Sequence, residues 1–231
     1  NSNIKVVLEG QGADEQQAGY LGYVINYLCH VPLRKLFSEY KKIKNVQGSH
    51  IYLKIGFFFS LICKVNGKKL AIKVIRMLTG KDMTQYMVHL NHKLKLDSNK
   101  GLVNLIHYGD SRSMMYSIEA RMPFMDYRLV EFTAKIPSIY KIHDGWTKYF
   151  ARLAFNGKLP DEITWRKDKM GWPVPEKYWF EGELNNWLVS SVNDSKFIQE
   201  EIKKVRLDID WSKIGLKKAI RLLNISVWHK V

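Results

Sequence analysis

A short apolar run followed at once by a glycine-bracketed turn constrains this chain more than any other feature. Residues 4–8 are mostly β-branched, too few for a helix, and predict a buried strand of the parallel type. Gly10 and Gly12 bracket a turn in which the backbone can approach a ligand closely. Asp14 and Glu15 then open a helix. A strand, a glycine turn and an acidic helix start indicate the ligand-binding edge of an α/β sheet.

The same string also allows a plainer interpretation, in which the turn only connects a strand to a helix and the acids only cap that helix. A lone parallel strand cannot form a sheet, so we expect its neighbours to come from sequence upstream of Asn1. On this interpretation the chain is a fragment.

Length and composition indicate a globular protein. The 231 residues are 46% apolar, enough for one large domain with a core. The longest apolar run, residues 55–63, has about half of the ~20 residues that a bilayer-spanning helix needs, so no membrane segment is predicted. Cys29 and Cys63 offer neither a disulfide framework nor a CxxC metal pair. With no signal-peptide pattern at the start, these features favour a reducing, cytoplasmic compartment.

The positive charge is concentrated in the middle of the chain. The net charge is +15, and residues 34–100 carry 15 Lys and Arg against Glu39, Asp82 and Asp97, or 15 − 3 = +12. Such a block could bind nucleic acid by neutralising phosphates. Its lysines are scattered between apolar positions, without an arginine-rich arm or an aromatic stripe. This pattern favours a solvated surface, and nucleic acid is an unlikely partner.

Several further helices are predicted from spacing and punctuation. Pro32 opens a second helix after the first, which runs from Glu15 to about Cys29, and a third helix ends near Gly80. Residues 46–67 are expected to form a loop or hairpin, and residues 83–96 another helix. His89 and His92 stand three apart on that helix, but no third ligand lies at a suitable spacing, so we predict an exposed pair rather than a metal site.

The segment from His107 carries the next group of candidates. Asp126 is a suitable N-cap for a helix that Pro137 closes. Glu119 and Arg121 sit among apolar residues, where they form either an internal ion pair or part of a site.

A block further along places two cations at helical spacing. Lys148 and Arg152 lie four apart on a predicted helix, and Gly157 stands in the stop position. Their repulsion is offset either by Asp144 or by a bound anion such as a phosphate oxygen. Two later helices, marked by apolar positions near 198–205 and 216–227, are predicted to be scaffold.

Four strings in this order resemble the asparagine synthetase (glutamine-hydrolysing) family: LEGQGADEQQAGY, HYGDSRSMMYSIEARMPFMD, GWTKYFAR and LPDEITWRKDKMGWPVP. Ser111 and Arg112 stand where the family usually has arginine and asparagine, and Trp172 stands where phenylalanine is common. The resemblance runs from about Ile4 to Phe180 and is weak between residues 21 and 104.

The resemblance implies a mainly α fold with a residual α/β edge, and one parallel-type strand at residues 4–8. This would be the C-terminal portion of an adenine nucleotide α-hydrolase-like (ATP pyrophosphatase) domain. We expect a single partial domain over residues 1–231. Its parts are a strand-loop-helix at the nucleotide site (1–30), a basic helical insert (31–106), a motif-bearing substrate and ATP region (107–181) and a helical tail (182–231).

The resemblance also implies a reaction, in which MgATP converts aspartate or a related carboxylate to an acyl-adenylate such as β-aspartyl-AMP, and glutamine-derived ammonia attacks it. Lys148 matches the family's catalytic lysine, and Asp14 matches a carboxylate associated with Mg²⁺. Gly10 and Gly12 would let the backbone approach the phosphates. Glu119 matches a glutamate at the aspartate end of the site.

Two departures from the family pattern limit this expectation. Glu9 and Gln11 stand where serine and glutamate are usual, and Gln11 cannot take a proton, so it would act only as a hydrogen-bond acceptor towards the nucleophile. The chain has no Gly-Gly pair and thus no pyrophosphate loop of the usual kind. We therefore expect it to need an N-terminal glutaminase domain and an upstream ATP-loop segment. The alternative is an inactive helical module that binds an acidic partner or nucleic acid through residues 34–100.

Overall fold

The computed structural model describes residues 4–167, 174–205, 210–211 and 214–229, and most of these are helical. The chain divides into two compact units, Asn1–Lys169 and Met170–Val231. In the described ranges, no helix combines the length and apolar character needed to cross a bilayer.

Two short parallel strands form the sheet of the first unit. Strand β1 (Val6–Leu8) pairs with β2 (Glu119–Arg121), with Val6 opposite Glu119 and Leu8 opposite Arg121. The parallel strand predicted for residues 4–8 is therefore present, although shorter. The expectation that all its neighbours come from upstream is wrong, because β2 follows it in the chain. The predicted burial of this strand is also wrong. Val6 and Leu8 are 39% and 73% exposed because the register puts them on the open face with Glu119 and Arg121, and Val7 is only partly buried.

The helix predicted from Glu15 to Cys29 is broken into two. Helix α1 spans Ala13–Gln17, and α2 spans Leu21–His30. Ala18 adopts a left-handed conformation (φ 56°) between them, and the backbone N–H of Gly19 bonds to the carbonyl oxygen of Asp14 at 2.9 Å. A left-handed residue is a common helix terminator, and here it turns the chain back over the first turn of α1.

Three helices follow, and one of them corrects the sequence analysis. Helix α3 (Leu33–Gln47) begins directly after Pro32, and α5 (Lys68–Thr79) ends at Gly80, as predicted. The predicted loop or hairpin at 46–67 is instead mostly helix α4, Ile51–Val65. Its apolar face is buried against α2, where Gly56 approaches Ile25 so closely that a β-carbon would lie 2.6 Å from that side chain. Burial against α2 therefore stabilises a helix in a segment whose residue spacing predicted a loop or hairpin.

Helix α6 (Leu90–Met114) is longer than predicted and starts later, after a 3₁₀ turn at Thr84–Met87. His89 precedes the helix and its ring contacts that of His30, with centroids 5.0 Å apart. The described residues contain no group of three or more potential metal-ligating side chains.

The rest of the first unit is built from short elements. Helix α7 spans Tyr127–Lys135, with Asp126 capping it by accepting a 2.9 Å bond from the backbone N–H of Arg128, as predicted. The next elements are α8 (Ser138–Lys141), the antiparallel pair β3 (Ile142–His143) and β4 (Trp146–Thr147), α9 (Tyr149–Phe155) and α10 (Asp161–Thr164).

Two apolar clusters hold the first unit together. One centres on α2 and includes residues of α3, α4, α6 and β3, while the other joins α2, α4 and α5. Both bury side chains of α2, among them Val24 and Leu28 in the first cluster and Ile25 in the second. Since α2 follows directly on the glycine turn and α1, its burial fixes the position of that turn.

The second unit is helical. It contains α11 (Glu176–Glu181), α12 (Asn185–Asn193), α13 (Lys196–Val205) and α14 (Leu216–Trp228). The two predicted tail helices are present, and Ile198, Ala219 and Leu223 pack with α12. The predicted positions Trp172, Ile202 and Val205 lie outside the residues or side chains that the structure describes.

Candidate functional site

The glycine turn and the GWTK string, far apart in sequence, meet at one ion pair. The Nζ of Lys148 lies 2.7 Å from Oδ1 of Asp14, and the two side chains are 33% and 22% exposed. Asp14 belongs to the first turn of α1, just beyond the carboxyl end of β1. The pair is therefore half-buried at the edge of the sheet where ligands bind in open parallel sheets.

The turn that carries Asp14 requires glycine at position 12. Gly12 has φ 91° and caps α1. A β-carbon there would also lie 2.5 Å from the sulfur of Met125, which covers this side of the turn. Gly10 has open space around its missing side chain and Gln11 is exposed, so the ligand-facing part of the turn is uncovered in the described residues.

A second glycine, missed by the sequence analysis, makes room for the ion pair. A β-carbon on Gly19 would lie 1.9 Å from Oδ1 of Asp14 and 2.5 Å from Cε of Lys148. No side chain can occupy that space while the pair is formed. The only sequence signal for this role was the small-residue sequence Ala18-Gly19 directly after the acidic turn.

Lys148 is positioned by a tight hairpin rather than by a helix face. Asp144 and Gly145 both have positive φ (46° and 85°) between β3 and β4, the geometry of a type I′ turn. Lys148 itself is left-handed (φ 55°), and its backbone N–H bonds to the carbonyl oxygen of Gln17 at 3.2 Å. This bond ties the hairpin to α1. An Asp-Gly pair is a strong hairpin signal, and it was available in the sequence.

Asp144, one of the two groups that the sequence analysis offered to offset the charge of Lys148, does not pair with it. The carboxylate of Asp144 pairs with Lys42 at 2.8 Å instead, because the hairpin turns Asp144 towards α3. Lys148 and Arg152 do not share a helix face either, since Lys148 is the N-cap of α9 and only Arg152 lies within it.

Arg152 has a structural environment. Its guanidinium donates to the carbonyl oxygens of Thr147 (2.9 Å) and Thr164 (2.5 Å) and lies over the ring of Trp146. Burial lowers the pKa of Arg152 from its usual value. These contacts lock the segment next to Lys148, so Lys148 alone of the two predicted cations faces Asp14.

Gln16 is a buried residue that the sequence analysis did not single out. Its amide nitrogen donates to the carbonyl oxygen of Phe124, and its amide oxygen accepts from the hydroxyl of Thr133 at 3.2 Å. These bonds hold α1 against α7 and the SIEARMPFMD string. Helix α1 is polar from Asp14 to Gln17, so the sequence carried no signal that singles out Gln16, and only its burial shows that its polar groups need partners.

Glu119 forms the ion pair with Arg121 that was one of its two predicted roles, but the pair is exposed rather than internal. It forms a bidentate pair with Arg121 at 2.9 and 3.0 Å, and both side chains are more than half exposed. The bond to Arg121 lowers the pKa of the Glu119 carboxyl. The alternation of β2 directs both residues to the open face of the strand pair, away from Ala120.

Asp14 fits Mg²⁺ only as part of a shared coordination shell. Mg²⁺ is commonly held by one or two carboxylates together with substrate phosphates and waters. Among the described residues, Asp14 belongs to no group of three or more side chains that could hold a metal ion. The carboxylate beside Lys148 is thus suited to a phosphate-bound Mg²⁺ rather than to a protein-only metal site.

The basic block at residues 34–100 is a solvated surface within the described chain. Thirteen of its 15 Lys and Arg side chains are exposed, and the other two, Lys64 and Lys93, are intermediate. They are distributed over α3, α4, α5 and α6. This distribution agrees with the interpretation that the lysines mainly solvate the helices.

Comparisons with known proteins give one family model that matches nearly the whole chain and several partial relatives. The sequence model of the asparagine synthase family matches residues 1–229. Asparagine synthetase (glutamine-hydrolyzing) 1 of Bacillus subtilis is 37% identical over 87 residues, 38% of this chain and 14% of that protein. Asparagine synthetase (glutamine-hydrolyzing) 3 of the same organism is 38% identical over 96 residues, 41% of this chain and 16% of that protein.

A longer match is a putative asparagine synthetase (glutamine-hydrolyzing) of Mycobacterium bovis, 25% identical over 225 residues, or 84% of this chain and 33% of that protein. The chain thus spans between 14% and 33% of these curated relatives. No solved structure matches it.

Proposed function

This chain belongs to the asparagine synthase family, and from that we propose that it is part of an ATP-dependent ligase that makes asparagine from aspartate. In this proposal MgATP activates the side-chain carboxylate as β-aspartyl-AMP, and glutamine-derived ammonia displaces AMP to form the amide. The chain supplies one side of the nucleotide site in the cytoplasm. A related carboxylate in place of aspartate would use the same residues.

The observation that carries the proposal is the contact between Asp14 and Lys148 at 2.7 Å. Two motifs from opposite parts of the first unit place an acid and an ammonium together, next to an uncovered glycine turn. A purely structural ion pair would not need the small residue that Gly19 provides, nor a left-handed backbone at Lys148. Strained backbone near a half-buried charge pair is typical of functional sites.

The chemistry of adenylation explains these residue types. Negative charge grows on the α-phosphate and on the departing pyrophosphate, and a positioned ammonium stabilises it. Lys148 would exchange its carboxylate partner for phosphate oxygens, and Asp14 would then be available to a phosphate-bound Mg²⁺. Mg²⁺ supplies charge neutralisation when bound. Gly10 leaves the backbone of the turn open to the phosphates, whereas Gly12 is buried against Met125 and shapes the turn.

Two further residues have proposed roles at the acceptor end. Glu119 would orient the amino acid that carries the acceptor carboxylate. To do so, it would give up its exposed ion pair with Arg121. Gln11 is exposed on the turn and would accept a hydrogen bond from ammonia, because an amide cannot remove a proton. Ammonia that arrives neutral needs no base for its attack, only a position.

We assign the remaining parts of the nucleotide site to protein segments other than these 231 residues. The proposed partners are an N-terminal glutaminase domain and an upstream glycine-rich segment that holds the pyrophosphate. We expect the isolated chain to bind MgATP weakly and to form no asparagine.

Isothermal titration of the 231-residue chain with MgATP tests this expectation. Weak or undetectable binding supports the partial site, whereas tight binding would contradict it. The decisive experiment joins the chain to the upstream sequence encoded before it and measures aspartate-dependent exchange of pyrophosphate into ATP. Exchange supports the ligase, and its absence in a folded, ATP-binding protein argues against adenylation of aspartate.

The second candidate is an inactive module that binds an acidic partner or nucleic acid through residues 34–100. The thirteen exposed basic side chains of this block favour it. A steep loss of affinity for duplex or single-stranded DNA with rising salt would support it. Binding that is weak at low salt would exclude this candidate.

A further inference from the structure

A cavity of about 480 Å³ lies beside the site, between α2 and α6. Its wall contains side chains of α1, α2 and α6 and of the 3₁₀ turn between α5 and α6. The residues with polar or aromatic groups are Glu15, Tyr20, Tyr23, Asn26, Gln85, Tyr86, Lys93 and Asp97. None of the roles proposed above uses this cavity.

The cavity is negatively charged in a chain that is strongly positive. Glu15 is only 5% exposed, and Asp97 accepts bonds from Lys93 (2.6 Å) and from the hydroxyl of Tyr23 (2.9 Å). Two carboxylates and one ammonium leave one negative charge on the wall, against +15 for the whole chain. A net negative charge on the wall attracts a cation, and the burial of Glu15 reduces the screening of its charge by water.

Asn26 provides a second, independent indication of a ligand. This side chain is fully buried, and its amide nitrogen donates to the carbonyl oxygens of Gln85 (3.0 Å) and Val88 (2.9 Å). Both donor contacts fix the orientation of the amide. Its oxygen has no hydrogen-bond partner among the described residues. A buried acceptor without a donor costs free energy, and Asn26 belongs to the cavity wall, so a ligand that reaches this oxygen gains by supplying an N–H.

Aromatic rings form the remaining wall. The hydroxyl of Tyr20 donates to Glu15 at 3.0 Å, and the rings of Tyr20 and Tyr23 lie 5.6 Å apart. Burial raises the pKa of Tyr23, and the bond to Asp97 raises it further, so the phenol stays a neutral donor. Faces of tyrosine rings attract organic cations as well as apolar methylene groups.

We propose that this cavity binds an organic primary ammonium ion. The ammonium group would donate to the oxygen of Asn26 and be attracted by Glu15 and Asp97, and its methylene groups would pack on the tyrosine rings. The volume exceeds the needs of a bare ammonium ion, and the described wall has too few available oxygens for a divalent cation. This binding goes beyond the proposed ligase function and does not depend on it.

Two variants of the wall give opposite expected results. We expect 1,5-diaminopentane to bind the 231-residue chain, as followed by isothermal titration and by side-chain amide NMR signals of Asn26. Asp97→Asn should weaken this binding about tenfold through loss of one charge. Lys93→Met should strengthen it several-fold, because the carboxylate of Asp97 then lacks its internal cation.

Matched controls separate the cavity from general electrostatics. Asp82→Asn removes a carboxylate that pairs with Arg76 outside the cavity, and Lys95→Met removes an exposed cation from α6. Both should leave diamine binding unchanged. The neutral analogue 1,5-pentanediol should not bind, and Nα-acetyl-lysine methylamide distinguishes a lysine side chain from a free amine as the natural ligand.

The proposal is overturned if the diamine fails to bind the folded wild-type chain, or if Asp97→Asn and Asp82→Asn have equal effects. Binding of the diol as tightly as the diamine would also overturn it. Since no nucleotide is present in these titrations, their outcome is independent of whether the chain acts in a ligase.

Discussion

A β-carbon on Gly19 would lie 1.9 Å from Oδ1 of Asp14, the oxygen that contacts Lys148. Gly19 lies in the break between α1 and α2, and the space at this position decides whether the charged pair can form. Gly19 is not one of the glycines with a positive φ, so its backbone conformation does not require glycine. Glycine is needed there only because a side chain would not fit.

Gly19→Ala should therefore separate Asp14 from Lys148. It should destabilise the fold by only about 1 kcal/mol, the low end for overpacking, because the displaced atoms belong to flexible, partly exposed side chains. Urea denaturation measures the loss. Gly101→Ala is the matched control, because Gly101 lies within α6 with open space around it. That variant should be stabilised by about 0.5–1 kcal/mol, since alanine favours a helix. Equal effects of the two changes would contradict the packing argument.

Lys148→Met tests the proposed role in adenylation. In the complete ligase, we expect pyrophosphate exchange to fall by about 10²–10³, the usual cost of removing a group that stabilises transition-state charge. Lys158→Met removes an exposed lysine from the same segment and should leave exchange unchanged. If both variants retain full exchange, Lys148 does not act on the phosphates.

Gly145 should be much less tolerant of alanine than Gly80. Both have positive φ (85° and 67°), which costs a non-glycine residue about 1–2 kcal/mol. A β-carbon on Gly145 would also lie 2.4 Å from the backbone carbonyl oxygen of Lys42, whereas Gly80 has open space. Backbone cannot move aside as a flexible side chain can. Thermal unfolding should show a clearly larger loss for Gly145→Ala, and equal losses would refute the close contact.

Gln16 and Thr133 should be energetically coupled. Gln16→Met removes the bonds to Phe124 and Thr133, and we expect a loss of about 2 kcal/mol because buried polar groups lose their partners. A double-mutant cycle with Thr133→Val should give a coupling of about 0.5–1.5 kcal/mol. Urea denaturation of the four proteins measures it. Additive losses would show that the 3.2 Å contact contributes nothing.

Lys141 makes stability depend on pH in the alkaline range. It is 2% exposed, and burial lowers its pKa to about 8. The unfolded chain, in which a lysine has a pKa of about 10.4, then binds more protons than the folded chain between these values. Burial of charged Lys141 therefore lowers the free energy of unfolding most below pH 8, and this loss disappears between pH 8 and pH 10.

The comparison with Lys141→Met isolates this effect from other groups. At pH 7 the variant should be more stable than wild type by up to roughly 3 kcal/mol, and the difference should shrink towards zero near pH 10. Lys41→Met, an exposed change on α3, should show no such trend. A difference that stays constant with pH would contradict the predicted titration.

The sequence was sufficient where a signal is local. Pro32, Gly80 and Asp126 set helix boundaries through their own backbone or side chains, and the structure agrees at all three. The motif strings likewise identified the family that the comparison over residues 1–229 shows. The Asp144-Gly145 hairpin was also readable locally and was missed.

Tertiary structure decided everything that depends on which distant group a side chain meets. From the sequence alone, Asp14 and Lys148 could be named as site candidates, and either Asp144 or a bound anion could offset the charge of Lys148. The hairpin turns Asp144 to Lys42 instead. Spacing records only neighbours along one element, whereas an ion pair is chosen by the burial and backbone geometry of all the elements that surround it. The space left by Gly19 is decided in the same way, because it exists only once α1, α2 and the hairpin are packed together.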